Sequence, residues 1–257
     1  MNILQAIAER TKKRIEAQKK MLPPDKIAEM ACIGTKNGFP FEKALRSEDI
    51  AFICEIKKAS PSKGIIAEDF PYLDIAKDYE TAGAAAISVL TEPFYFMGSD
   101  QYLREIANTA NVPLLRKDFT VDSYMIYEAK LHGASAVLLI CALLNKDTLS
   151  EYVNTSHNLG LSALVEVHDE EEVSMALSCG ARIIGVNNRN LKTFEVDIGL
   201  SGKLRKLVPP DVLFVSESGI QDAHDIAKLR EMGADAALIG ESLMRSGDIK
   251  AAMQALC

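Results

Sequence analysis

The sequence predicts an α/β fold, a (β/α)8 barrel of the TIM type with an N-terminal helical extension, and three observations predict it. Short β-rich runs alternate with helical stretches eight times over, and each unit takes roughly 26 residues. A Gly-Ala pair closes every second unit, at Gly83, Gly133, Gly180 and Gly233. No GxGxxG or Walker A segment follows the first strand, which argues against an open dinucleotide-binding or P-loop sheet. Regular alternation specifies a parallel sheet. Glycine suits the left-handed position just past a helix C-terminus. Its recurrence at twice the unit length agrees with alternate barrel strands filling alternate core layers.

Residues 1–50 precede the repeat and are assigned to the extension, and residues 51–257 to the barrel. Ile3, Leu4, Ile7, Thr11 and Ile15 share one helical face, opposite Lys12, Lys13, Lys19 and Lys20. Pro23-Pro24 breaks this helix, and a shorter one is expected at 25–31. The apolar stripe is expected to pack on the barrel and partly cover one mouth. A membrane-surface role for the basic face is the lesser alternative. Strands are expected at 51–57, 84–90, 113–118, 134–140, 161–167, 182–187, 211–217 and 235–240. Helices are expected at 72–82, 99–110, 122–132, 146–159, 169–179, 197–207, 221–232 and 248–256.

Composition bounds the function. The 257 residues are 48% hydrophobic and 25% charged, which excludes wholesale disorder and permits one large core. A net charge of −7 argues against a nucleic-acid partner, but leaves room for a locally positive site and a small anionic ligand. Cysteines at 32, 54, 141, 179 and 257 form no CxxC pair, and the four histidines show no HExxH clustering. Neither a metal nor a disulfide framework is expected, and a reducing, cytoplasmic setting fits. The apolar run Ala134–Leu144 is too short to cross a bilayer. The charged residues from Glu9 to Arg14 are unlike a secretory signal. No membrane partner is expected, and the chain reads as a monomer or weak homo-oligomer.

In a barrel the chemistry belongs at the C-terminal ends of the strands. Glu55 and Lys57 lie two apart on the first strand, so they share a face, while Phe52, Cys54 and Ile56 point to the helices. The same alternation turns Lys117 and Phe119 inward on strand three and Glu166 on strand five. Asn187 falls at the rim of strand six, and Glu217 points inward on strand seven. One such group is an ordinary strand end, and a structural ion pair would explain Glu55 with Lys57. Five strands carrying inward polar groups at one end require a site, because buried charges are costly unless paired or used. The segments Ser216–Ile220 and Ile239–Leu243 place glycine and serine just before helix starts. Main-chain N–H groups there suit a phosphate. They contain no lysine or arginine, so backbone and hydroxyl contacts are expected to dominate. Phe94, Tyr95, Phe96, Phe119, Leu138 and Leu191 lie near the same rim and suit the walls of a slot for a ring.

Glu55-Ile56-Lys57-Lys58-Ala59-Ser60-Pro61-Ser62-Lys63-Gly64 resembles the EIKxxSPSxG signature of the indole-3-glycerol phosphate synthases, the ring-closing lyases of tryptophan biosynthesis. Thr91–Phe94, Leu115–Phe119, Val165–His168, Asn187–Leu191 and Ser216–Ile220 agree with the family in order, over essentially the whole chain. Tyr95 and Met97 depart from it without touching a charged position. The fused isomerase barrel of some relatives is not expected. The resemblance implies a decarboxylase that needs no cofactor and takes a small phosphorylated substrate. It implies Lys117 as general acid, Glu166 as general base, Glu55 and Glu217 as stabilisers of a cation, and Lys57 as a carboxylate binder or second acid. Asn187 would orient substrate hydroxyls. Ser60, Phe96, Phe119, Leu138, Arg189, Leu191, Ser218, Gly219, Gly240 and Ser242 would line the substrate and phosphate regions. A Schiff-base aldolase using Lys57 or Lys117, and a non-catalytic sensor of a phosphorylated ligand, are the rival readings.

Overall fold

The computed structural model describes residues 3–33, 38–190 and 193–256. Helix α1 (Ile3–Met21) buries Leu4, Ile7, Ala8, Thr11 and Ile15, the stripe its spacing predicts. It ends before Pro23-Pro24, and Pro24 opens α2 (Pro24–Cys32) where a missing N–H is harmless. A third helix, α3 (Pro40–Leu45), was not expected, because six residues are too few to show a period.

Eight parallel strands then close into a barrel in chain order. They are β1 (Ala51–Ile56), β2 (Ala86–Leu90), β3 (Leu114–Lys117), β4 (Ala136–Ile140), β5 (Ser162–Val167), β6 (Ile183–Asn187), β7 (Leu213–Glu217) and β8 (Ala236–Ile239). β1 pairs with both β2 and β8, which closes the ring. Several strands start one or two residues later than the sequence suggests, because the chain is still turning out of the preceding helix. Barrel strands bury both faces, and the side chains sort by alternation into two cores. Cys54, Ile56, Val89, Val165 and Phe214 pack outward under the helices. Ile53, Leu115, Leu138, Leu164, Val215 and Leu238 fill the interior.

The outer helices are α4 (Tyr72–Thr81), α5 (Asp100–Ala107), α6 (Tyr124–Leu131), α7 (Lys146–Asn158), α8 (Glu170–Ser178), α9 (Gly199–Arg205), α10 (Ala223–Met232), α11 (Glu241–Met244) and α12 (Ile249–Gln254). The side chains of Ser99, Asn145, Asp169, Asp222 and Asp248 cap five of them. Within the β1–α4 connection Ala59–Ser60 pairs antiparallel with Gly64–Ile65 in a small hairpin. The four junction glycines take positive φ as expected, but Gly160 before β5 does so too. The junction therefore marks how these helices end and does not follow the barrel layers.

Both ends of the barrel are stoppered by residues that precede it. Phe41 and Leu45 of α3 join the interior core. Glu42 accepts a hydrogen bond from Ser162 Oγ at 3.1 Å and pairs with Arg182 at 2.8 Å, at the starts of β5 and β6. α3 is thus the plug at the N-terminal end. At the opposite end Leu4 of α1 reaches the same core. Arg14 donates to Asp118 at 2.7 Å and Lys19 to Asp122 at 2.6 Å, which fastens α1 beside the end of β3. Among the described residues no helix is long and apolar enough to cross a membrane, and no group of three or more His, Cys, Asp or Glu could hold a metal ion.

Candidate active site

Alternation along β1 turns Glu55 into the barrel, where it is 5% exposed. Lys57, just past the strand, donates to Glu55 Oε1 at 2.6 Å, and Ser88 of β2 reaches Glu55 Oε2 at 3.4 Å. A Cβ at Gly240 would sit 2.9 Å from Glu55 Oε1 and 3.3 Å from Lys57 Nζ, so that glycine leaves room for the pair. Lys117 at the end of β3 places its Nζ 3.4 Å from Glu217 of β7 and 3.7 Å from Glu166 of β5. Space for Glu217 comes from Gly185 on β6, where a Cβ would fall 2.2 Å from Glu217 Oε1. Sequence reasoning missed Gly185. Its signal was a glycine inside a strand, a mark of close approach.

Five ionisable side chains from four strand ends thus converge on one cavity of about 650 Å³. Burial opposes the Lys117 ammonium, but Glu217, Glu166 and Glu55 together outweigh it and hold Lys117 above the ordinary lysine range. Burial also opposes the Glu55 carboxylate, and Lys57 and Lys117 reverse that, so Glu55 stays below its usual value. Glu217 goes the other way. Burial, reinforced by the charges of Glu166 and Glu55, pushes its carboxyl up to about 7 despite Lys117. An ammonium held so firmly is a poor amine nucleophile, which disfavours the Schiff-base reading.

The apolar wall comes from three places. Phe96 and Phe119 stand 5.9 Å apart with rings tilted 39°, and Leu138, Ile3, Leu4 and Ile7 line the same cavity. Phe96 is set by Glu92, a fully buried carboxylate. It accepts the N–H groups of Phe94, Tyr95 and Phe96 at 3.0, 2.6 and 3.1 Å. At Gly98 a Cβ would lie 2.5 Å from Leu90 O, so the loop closes only around a glycine. Asn187 accepts from Arg189 N at 3.0 Å. Its neighbour Asn188, not singled out from sequence, donates to Ser216 Oγ at 2.9 Å and to Ser218 O at 3.1 Å. These bonds brace Ser218 at φ 69, a left-handed conformation that a non-glycine residue adopts at a cost.

Ser60, Arg189, Ser218, Gly219, Gly240 and Ser242 all line this cavity. Leu191 lies outside the described residues. At Gly219 the left-handed backbone coincides with crowding, since a Cβ would meet Val196 Cγ1 at 2.2 Å. Tertiary folding adds two cations that the local segments lack. Lys63 from the hairpin and Arg245 beyond α11 each lie 3.4 Å from Glu241 Oε1 and line the same cavity.

The family profile described as Indole-3-glycerol phosphate synthase matches residues 4–256. The chain belongs to the indole-3-glycerol phosphate synthase family. The indole-3-glycerol phosphate synthase of Ruminiclostridium cellulolyticum is 60% identical over 255 residues, covering 99% of this chain and 98% of that protein. The one from Endomicrobium trichonymphae is 55% identical over 248 residues, with 96% of each chain covered. Among solved structures, 3-hexulose-6-phosphate synthase from Salmonella typhimurium superposes with a TM-score of 0.67 at 12% identity, over 80% of this chain and 96% of that one. That likeness shows the shared barrel alone. The indole-3-glycerol phosphate synthases are carboxy-lyases of tryptophan biosynthesis.

Proposed function

We propose that the chain converts 1-(2-carboxyphenylamino)-1-deoxyribulose 5-phosphate to indole-3-glycerol phosphate, releasing carbon dioxide and water, by general acid–base catalysis. The observation that carries this is the meeting of Lys117 with Glu166 and Glu217 beside the Glu55–Lys57 pair, under an aromatic wall. The ring carbon bearing the carboxylate attacks the ribulose carbonyl while Lys117 Nζ delivers a proton to the carbonyl oxygen. The ring nitrogen then carries positive charge, which Glu55 and Glu217 stabilise electrostatically. Cleavage of the carbon–carboxylate bond releases carbon dioxide and restores the aromatic ring. Dehydration follows: the new hydroxyl takes a proton from Lys57, acting as second acid, and leaves as water, while Glu166 takes the proton that lets the double bond form.

Lys57 binds the substrate carboxylate in this reading, Asn187 orients hydroxyls, and Phe96, Phe119 and Leu138 sandwich the ring. Ser60, Ser218, Gly219, Gly240 and Ser242 hold the phosphate, with Arg189 at the rim. Residues 1–50 act as an extension to the barrel of residues 51–257, with α1 completing the mouth and α3 plugging the opposite end. In this reading the enzyme works in the cytoplasm as a monomer or weak homo-oligomer. The test is to incubate purified protein with the carboxyphenylamino sugar phosphate and follow indole fluorescence. Lys117→Met should lower kcat by at least about a hundredfold, the usual worth of general acid catalysis. Near-normal turnover would remove Lys117 from the mechanism.

A further inference from the structure

The two oxygens of Glu166 are divided between two partners. Oε2 faces Lys117 Nζ at 3.7 Å, and Oε1 faces the imidazole Nε2 of His168 at 3.4 Å. His168 is one residue past the end of β5, where alternation returns it to the same side as Glu166. Its own ring is fixed from the far side by Glu172, in the first turn of α8. Glu172 Oε2 accepts the His168 backbone N–H at 2.7 Å and lies 3.2 Å from Nδ1. Asp169 holds Glu172 in turn by accepting its N–H at 2.8 Å. A ring whose Nδ1–H points at one carboxylate presents Nε2 to the other. Nε2 is buried and has no other hydrogen-bond partner.

With Glu166 ionised and the ring neutral, the Nε2 lone pair faces a carboxylate oxygen, and a proton arriving between the two relieves that repulsion. The charged groups around the ring are Glu166, Glu172 and, from β7, Glu217. Burial opposes the imidazolium, but the Glu172 hydrogen bond and these carboxylates outweigh it and raise His168 above its ordinary value. Cys141, after β4, contacts the Glu172 backbone, and burial pushes its thiol up, so it adds no charge.

We propose that His168, oriented by Glu172, is the positioning residue and proton acceptor of Glu166. The inference rests on reading Glu166 as the general base. When the substrate C–H bond breaks in dehydration, its electron pair forms the carbon–carbon double bond and the proton goes to Glu166. The proton passes on to His168 Nε2, Glu166 regains its charge, and after product leaves the imidazolium gives one proton back to solvent, which restores the neutral ring with Nδ1–H on Glu172. No oxidant or reductant enters the step.

The test measures kcat, KM and their pH dependence on the full chain with the carboxyphenylamino sugar phosphate. His168→Gln keeps an amide beside Glu166 but cannot take its proton. It should lower kcat about tenfold while KM changes little, and move the acidic limb of the kcat/KM profile to lower pH. Glu172→Gln leaves the ring in place but withdraws a carboxylate, and should move the limb the same way. A purely structural link would leave the limb where it is in both variants, and that result overturns the proposal. Independently of activity, NMR titration of the His168 ring should show a lower midpoint in Glu166→Gln than in the unmodified chain; an unchanged midpoint also overturns it. Full turnover in Glu166→Gln would remove the base reading itself, and the proposal with it. An inactive Glu166→Gln beside an unaltered His168→Gln would sink this proposal alone.

Discussion

Gly185 and Glu217 are one structural fact seen from two residues. The carboxylate occupies the space where a side chain at position 185 would begin, with 2.2 Å between Glu217 Oε1 and the position of a Cβ. A single methyl group is therefore enough to displace it from Lys117. Gly185→Ala should lower kcat on the order of a hundredfold, as expected for a misplacement near one ångström, while thermal unfolding moves little. Unchanged kcat would mean that Glu217 relocates without consequence. If the Ser218–Gly219 end of the cavity holds the phosphate, backbone crowding should matter more there than the loss of a hydroxyl. Ser218→Ala or Ser242→Ala should weaken binding of a phosphorylated product by about 1 kcal/mol, one ordinary hydrogen bond. Gly219→Val should be far worse, since it must abandon a φ of 84 and expel Val196. Equal affinities across the three variants, measured by calorimetry, would show that the cradle lies elsewhere.

At the level of elements, α1 and α3 divide the two tasks of the extension. α1 lends Ile3, Leu4 and Ile7 to the cavity and is tied to the end of β3 through Arg14 and Asp118. α3 contributes nothing to the cavity and inserts Phe41 and Leu45 at the other end. Deleting residues 1–22 should raise KM and leave a folded barrel. Phe41→Ala should instead cost about 3 to 5 kcal/mol of stability, the range for emptying a buried aromatic site, with KM unchanged. Steady-state kinetics and urea unfolding on the two variants separate these outcomes. The same KM in the truncated chain would show that α1 is not part of the site.

Across the whole molecule, the two ends of the barrel respond to pH with opposite sign. At the plug end burial, with Arg182 nearby, holds the His157 imidazole down at about 4, against an ordinary 6.5. The unfolded chain therefore takes up that proton first. Stability contributed by neutral His157 is present above about 6.5 and is lost as pH falls through about 4. Glu217 titrates within the same window with its folded value raised, so it gains stability as pH falls from about 7. The prediction lies in the difference between chains. The urea midpoint of His157→Leu should fall less between pH 7.5 and pH 5 than that of the unmodified protein. Parallel falls would assign the acid sensitivity to other groups.

The sequence by itself determined the order of strands and helices, the inward set Glu55, Lys117, Glu166 and Glu217, and the family, because period-two alternation and short signatures are local. It also located α1, whose stripe runs for four turns. It did not determine α3, α11 or the hairpin, which are shorter than any period can declare. It could not decide that Lys63 and Arg245 join the cavity beside Glu241, that Glu92 gathers three N–H groups of its loop, or that His168 meets both Glu166 and Glu172. Nor could it assign Gly185 and Gly240 the task of making room for carboxylates on other strands. Those contacts depend on barrel closure, which brings strand ends far apart in the chain within a few ångströms, and distance in space is what sets a buried charge and the room it has.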